Sequence, residues 1–302
     1  MTTEDDIAFE DAFSLLGNEI RADIVRSLGD AHLEKGDSAS LSFSDLHSRV
    51  SEDLPSSQFN YHLQKLVGRF VEDTDDGYRL RPVGVNLYRV IRAGTFTREV
   101  SMGPVELEVD CHSCGGGVVA SYDDGRFAIG CRDCGRLFNR VSMPPSAVDD
   151  VDTGTLLARV DQYSRHELLA SSQGVCHFCV NELDTAIRPA SDTHWGSTDG
   201  IDVVVSRHCG HCGYHHDTSV GVALLYEPTL ISFCSEHGVD VLQTPIWELE
   251  FAMTDDGVTV ASTDPWRIAF RHTIDGDTLE LVVDGDLAVL ETTRIETEQM
   301  ES

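Results

Sequence analysis

The chain has 302 residues, with 22 Lys and Arg against 52 Asp and Glu, a formal charge of −30. That length suits two or three domains, and a 41% share of hydrophobic residues excludes wholesale disorder. No apolar run nears the ~20 residues of a membrane span, and the acidic N-terminus lacks the basic and apolar regions of a secretion signal. A cytoplasmic protein that does not enter membranes is expected.

The acidity is spread over every segment: 32 Asp and 20 Glu stand against 20 Arg and only two lysines, Lys35 and Lys65. A diffuse acidic surface keeps a protein hydrated where salt screens repulsion. The pattern resembles proteins of halophilic archaea. In such a cytoplasm, net negative charge does not argue against a nucleic-acid partner, because nearly every protein there is acidic.

In chain order, residues 8–28 place Phe9, Phe13, Leu15, Leu16, Ile20, Ile24, Val25 and Leu28 at helical spacing. A second helix is expected over 41–50, with Phe43, Leu46 and Val50 inward, then a turn through Pro55 and a helix over 58–70. On that helix, at ~100° per residue, Phe59, Leu63, Leu66, Val67 and Phe70 form one apolar stripe. Gln58, Tyr61, His62, Lys65 and Arg69 form a second face, within about 60° of Gln58. Such side chains read base edges and hold phosphates. A hairpin with an acidic tip at 72–77 follows, then a last helix from Pro82 through Leu87, Val90 and Ile91. This is the element order of a winged helix-turn-helix.

The stretches Leu-Leu-Gly-Asn-Glu-Ile-Arg-Ala-Asp-Ile-Val-Arg-Ser-Leu (15–28) and Gln-Phe-Asn-Tyr-His-Leu-Gln-Lys-Leu-Val (58–67) resemble the ArsR-type winged helix regulators. The resemblance covers about residues 7–95. It implies a DNA-binding domain over 1–95 whose recognition helix, about 57–69, carries Gln58, Tyr61, His62 and Lys65 into the major groove of double-stranded DNA. Arg69, Arg79 and Arg81 would hold backbone phosphates, since the wing tip itself is acidic. It further implies a homodimer, with its seam near 8–16 and 83–93. The family's thiolate metal-sensing motif would lie at 41–50, and no cysteine stands there.

Eight of nine cysteines fall into Cys-x-x-Cys pairs: Cys111/Cys114, Cys131/Cys134, Cys176/Cys179 and Cys209/Cys212. In a cytosolic chain such pairs read as metal ligands. The first two flank a hairpin turning at Asp123-Asp124-Gly125, the pattern of a zinc ribbon over 105–140. The second two make a ribbon-like site within 153–220, behind an amphipathic helix over 153–172 whose charged side bears Arg159, Asp161, Arg165 and Glu167. A polar loop with Trp195 lies between its pairs, and His177, His208, His211, His215 and His216 crowd it, any of which could replace a ligand. Four thiolates close the shell of a zinc ion, so two structural Zn2+ sites are expected, and stripping them should unfold 105–220 while 7–95 stays helical.

Val141–Asp152 reads as a linker, Pro228–His237 as a helix ended by Gly238, and 246–296 as a meander of about five antiparallel strands. Cys234 reads as a buried thiol. The expected fold is a multidomain α+β chain: winged helix-turn-helix, two zinc-ribbon-like segments with four cysteines each, and a helix with antiparallel sheet over 221–302. No phosphate loop, nucleophile elbow or open metal site suggests an enzyme. The function read from the sequence is a sequence-specific transcriptional regulator. The alternative is a zinc-ribbon factor of the transcription machinery that docks on proteins without reading DNA.

Overall fold

A computed structural model describes residues 15–193 and 200–296. Phe9, Phe13, most of the 8–16 seam and Trp195 lie outside the described residues. The chain is mixed α+β, with eight helices and four antiparallel sheets among the described residues. Its contacts divide it into two compact units, one ending at Arg98 with Pro144–Ser146 added, the other made of Glu99–Met143 and Ala147–Ser302.

The first unit runs α1 (Glu19–Lys35), α2 (Phe43–Val50), α3 (Ser56–Leu66), the hairpin β1 (Val71–Thr74) and β2 (Gly77–Leu80), and α4 (Pro82–Arg92). Asn18 opens α1 by accepting the Arg21 N–H at 3.2 Å, and Ser42 opens α2 by accepting the Asp45 N–H at 3.1 Å. Ile24, Leu28, Leu46, Phe59, Leu63 and Leu66 close a core of their own, with Phe43 edge-on to Phe59 at 5.1 Å. Helix α3 stops at Leu66, short of the expected Phe70, because Val67 turns extended and Gly68 takes φ +83°.

The second unit opens with a four-stranded meander: β3 (Met102–Asp110), β4 (Gly117–Asp123), β5 (Arg126–Cys131) and β6 (Leu137–Ser142). Helix α5 (Thr153–Ser172) follows, capped by Asp152, which accepts the Thr155 N–H at 2.9 Å. Then come β7 (Asp184–Pro189), β8 (Val203–His208) and β9 (His215–Ser219) in one sheet, and the helices α6 (Val220–Ala223), α7 (Pro228–Glu236) and α8 (Glu250–Met253). The meander β10 (Val258–Thr263), β11 (Trp266–Ile274), β12 (Asp277–Asp284) and β13 (Val289–Ile295) ends it.

Three expectations are corrected here. The C-terminal meander has four strands, because Ile246–Met253 coils into helical turns that bury Ile246, Trp247, Phe251 and Met253. Val141 and Met143, read as the start of a linker, are buried against the first meander, where Met143 carbonyl accepts the Tyr122 hydroxyl at 2.9 Å. Asp161 and Arg165, read on the charged side of α5, are buried as a pair at 2.6 Å.

Candidate functional site

Four times the chain makes the same short turn. At each Cys-x-x-Cys, the first cysteine's N–H donates to the carbonyl five residues on, and the N–H four residues on donates back to its carbonyl, all at 2.8–3.1 Å. The residue after the second cysteine must adopt positive φ: Gly115 (+68°), Gly135 (+74°) and Gly213 (+76°) do so without a Cβ penalty. At the remaining turn Val180 does it at +62°.

Folding brings these turns together in pairs. Cys111 and Cys134 sulfurs lie 3.7 Å apart and Cys114 and Cys131 3.5 Å; in the second group Cys176–Cys212 is 3.7 Å and Cys179–Cys209 3.5 Å. In each group all four sulfurs lie within 4.8 Å of one another. Four sulfurs placed tetrahedrally at ~2.3 Å from one ion sit about 3.8 Å apart, so both groups fit a thiolate-bound divalent metal. The N–H groups of Asp133 and Cys134 point at Cys131 Sγ at 3.3 and 3.4 Å, and Asn181 Nδ2 reaches Cys179 Sγ at 3.4 Å. Such donors stabilise anionic sulfur. A metal held by all four thiolates has no position left for water.

The centres differ in how they are moored. Cys111 and Cys131 belong to the large core of the unit, the His112 ring meets Trp247 carbonyl at 2.9 Å, and buried Arg136 donates to Ser113 Oγ and to Met253 carbonyl at 2.5 Å. Cys176 and Cys209 instead form a small cluster with Leu183, joined by Cys179 and Tyr214. The roles of Arg136 and Asn181 escaped the sequence reading; their only signal is their place, two residues past the second cysteine of a pair.

No histidine joins either group of sulfurs among the described residues. His177 stands 3.2 Å from Glu167, with the Tyr214 ring edge-on at 4.6 Å; burial, aided by His166, holds its pKa low. His216 is pushed down to about 4, chiefly by burial and then by Arg207, while His215 approaches Asp217 at 3.1 Å. His208 and His211 are exposed. Cys234 is buried, and burial lifts its thiol to about 11.

On α3, Gln58, Tyr61 and Lys65 face solvent, Tyr61 at 57% exposure with Lys65 Nζ 5.6 Å from its ring centre. His62 does not join them. It is 9% exposed and its pKa is lowered by burial and then by Arg21, because its position borders the apolar stripe of the helix. Arg69 is exposed but lies beyond the helix end, in the turn after Gly68. The guanidinium of Arg79 pairs across the hairpin with Glu72, and that of Arg81 donates to Gly68 carbonyl.

The fold and its sulfur groups define a two-unit α+β protein with two four-cysteine groups, each able to hold a metal ion, and no helix long and apolar enough to cross a membrane among the described residues. Residues 108–289, well over half of the chain, match the family described as a domain of unknown function, DUF7351, and the chain belongs to it. Residues 9–91 match a second family, domain of unknown function DUF7347. No curated protein and no solved structure matches.

Proposed function

We propose that this protein is a sequence-specific DNA-binding transcriptional regulator of a halophilic archaeon, working in the cytoplasm as a homodimer. The reading rests on its resemblance to ArsR-type winged helix regulators and on one observation: the exposed Gln58, Tyr61 and Lys65 of α3. Core packing needs none of these three side chains, and a tyrosine with a cation over its ring is adapted to base edges and phosphates. Arg69 adds a phosphate contact beside the helix. Arg79 and Arg81 would first have to leave Glu72 and Gly68. The two sulfur groups hold Zn2+, whose role is to supply folding energy to knuckles too short to bury a core.

Molar potassium chloride suppresses the counterion-release part of DNA affinity, so base contacts must carry more of it. Selection from a random duplex library by the zinc-loaded protein in multimolar potassium chloride should therefore enrich one inverted repeat. Tyr61→Ala should lower the preference for that repeat roughly tenfold or more, the worth of a base contact, while Arg81→Ala lowers affinity evenly across sequences. Absence of enrichment from folded, zinc-loaded protein would favour a protein-docking factor. Phe178 and Val180, each 78% exposed beside Cys179, favour that second reading.

A further inference from the structure

Strands β7, β8 and β9 lie side by side, and their antiparallel register sets Asp184 opposite His208 and His208 opposite His215. Side chains paired directly across neighbouring strands share a face, with Cβ atoms ~5 Å apart. The three therefore make a row across the sheet. All three are exposed, and they line one hollow together with Ala186, Arg188 and Ser206. Strand alternation sends Arg207 and His216 to the opposite face, and Arg188 stands four residues along β7 from Asp184, about 13 Å away. The row itself holds no fixed positive charge.

The next row of the same face is Ala186, Ser206 and Asp217. Asp217 is buried, accepts the Ser206 hydroxyl at 2.6 Å and lies 3.1 Å from His215 Nε2. A carboxylate on one imidazole nitrogen fixes the tautomer and orientation of the ring and leaves the other nitrogen for a metal. Here that other nitrogen is His215 Nδ1. The ring centres of His208 and His215 are 6.4 Å apart. Two imidazoles held tetrahedrally by one ion at ~2.1 Å have centres about 5 Å apart, a difference that rotation of two exposed side chains closes.

We propose that Asp184, His208 and His215 form a third metal site, for a late first-row divalent ion such as Zn2+, Ni2+ or Co2+, with Asp217 as a positioning residue. Two imidazoles and one carboxylate select such ions over Mg2+ and Ca2+, and unlike the sulfur groups they leave coordination positions to water. His208 ends β8 just before Cys209, and His215 opens β9 just after the same knuckle. An ion here would tie together the two strand ends from which that knuckle rises. The site is independent of DNA reading.

The test is dialysis of the untagged, zinc-loaded full chain against Co2+ in multimolar potassium chloride, which screens attraction of the ion to the acidic surface. Elemental analysis should count one cobalt per chain beside both zinc ions, with cobalt d–d absorption and no sulfur-to-cobalt charge-transfer band. His208→Ala and His215→Ala should each lose the cobalt and keep the zinc. Asp184→Asn should weaken cobalt binding about tenfold or more, at least the cost of losing an outer partner of a ligand. His211→Ala, inside the same knuckle but outside the row, should change nothing. Should a histidine variant also shed zinc, Asp184→Asn decides, because β7 carries no cysteine: cobalt binding unaltered by it would overturn the site. So would cobalt gained only in exchange for zinc, no cobalt at all, cobalt that survives both histidine changes, or equal loss with His211→Ala.

Discussion

Val180 occupies the position that glycine holds in the other three knuckles, at φ +62° and 78% exposed. A β-branched residue in the left-handed region costs about 1–2 kcal/mol, because Cβ crowds the carbonyl. Glycine removes that cost but adds freedom to the unfolded chain, a loss of roughly 0.5–1 kcal/mol. So exposed a side chain gives up almost no packing. Val180→Gly should therefore stabilise the second centre by about 0.5–1 kcal/mol. Competition with a chromogenic chelator should show slower metal loss from this variant than from wild type. Faster loss would mean that the valine side chain has a partner and that its strain is maintained for it.

At the scale of elements, helix α5 is clamped by a buried ion pair. Asp161 accepts the Ile246 N–H at 2.9 Å and pairs with Arg165 at 2.6 Å, while Arg165 donates to the carbonyls of Val241 at 3.0 Å and Thr244 at 2.5 Å. The pair thus fixes the 241–246 segment against the helix. Asp161→Ala strands a buried guanidinium and should cost about 3–5 kcal/mol in denaturant unfolding of this unit. A loss under 1 kcal/mol would show that water reaches the arginine. Nothing in the sequence separates this pair from the exposed Arg159: all three are charges on one helix, and burial is decided by carbonyls some 80 residues away. The knuckles were legible because their geometry is local, and so was the hairpin β4–β5, whose strands alternate around Asp-Asp-Gly. Strand β3 carried the same signal in Val105, Leu107 and Val109, set between Glu106, Glu108 and Asp110. The helical turn at Ile246–Met253 was hidden by apolar residues that alternate like a strand. A cavity of about 240 Å³ bounded by β6, β9 and α5 was not legible at all, since it exists only where edges of two sheets meet a helix.

At the scale of the whole molecule, the two four-cysteine groups are unequal, and the inequality can be measured. The core that includes Cys111 and Cys131 runs on through Leu156, Val205, Phe233 and Trp247 to Ile268, Phe270, Leu281 and Val283. The inner face of the C-terminal meander therefore shares one hydrophobic cluster with the first centre. The second centre has only its satellite cluster around Leu183, and residues Ile24–Tyr88 form a core apart from both. Structural metal binding is worth ~10–16 kcal/mol to the segment it folds, so what a lost ion drags down depends on which cluster it holds together. Cys114 and Cys212 are each the exposed ligand across from a buried pair mate, which makes Cys114→Ser and Cys212→Ser matched ways of weakening one centre. Hydrogen exchange should then separate them. Cys114→Ser should speed exchange about tenfold or more at Phe270 and Leu281, as sub-global opening of a shared core does, whereas Cys212→Ser should confine the change to 175–185 and 206–216. Amides of Ile24, Leu46 and Leu63 should stay protected in both. Equal acceleration of β11 and β12 by the two variants would mean that the second unit opens as one cooperative body, with its satellite cluster no more independent than its core.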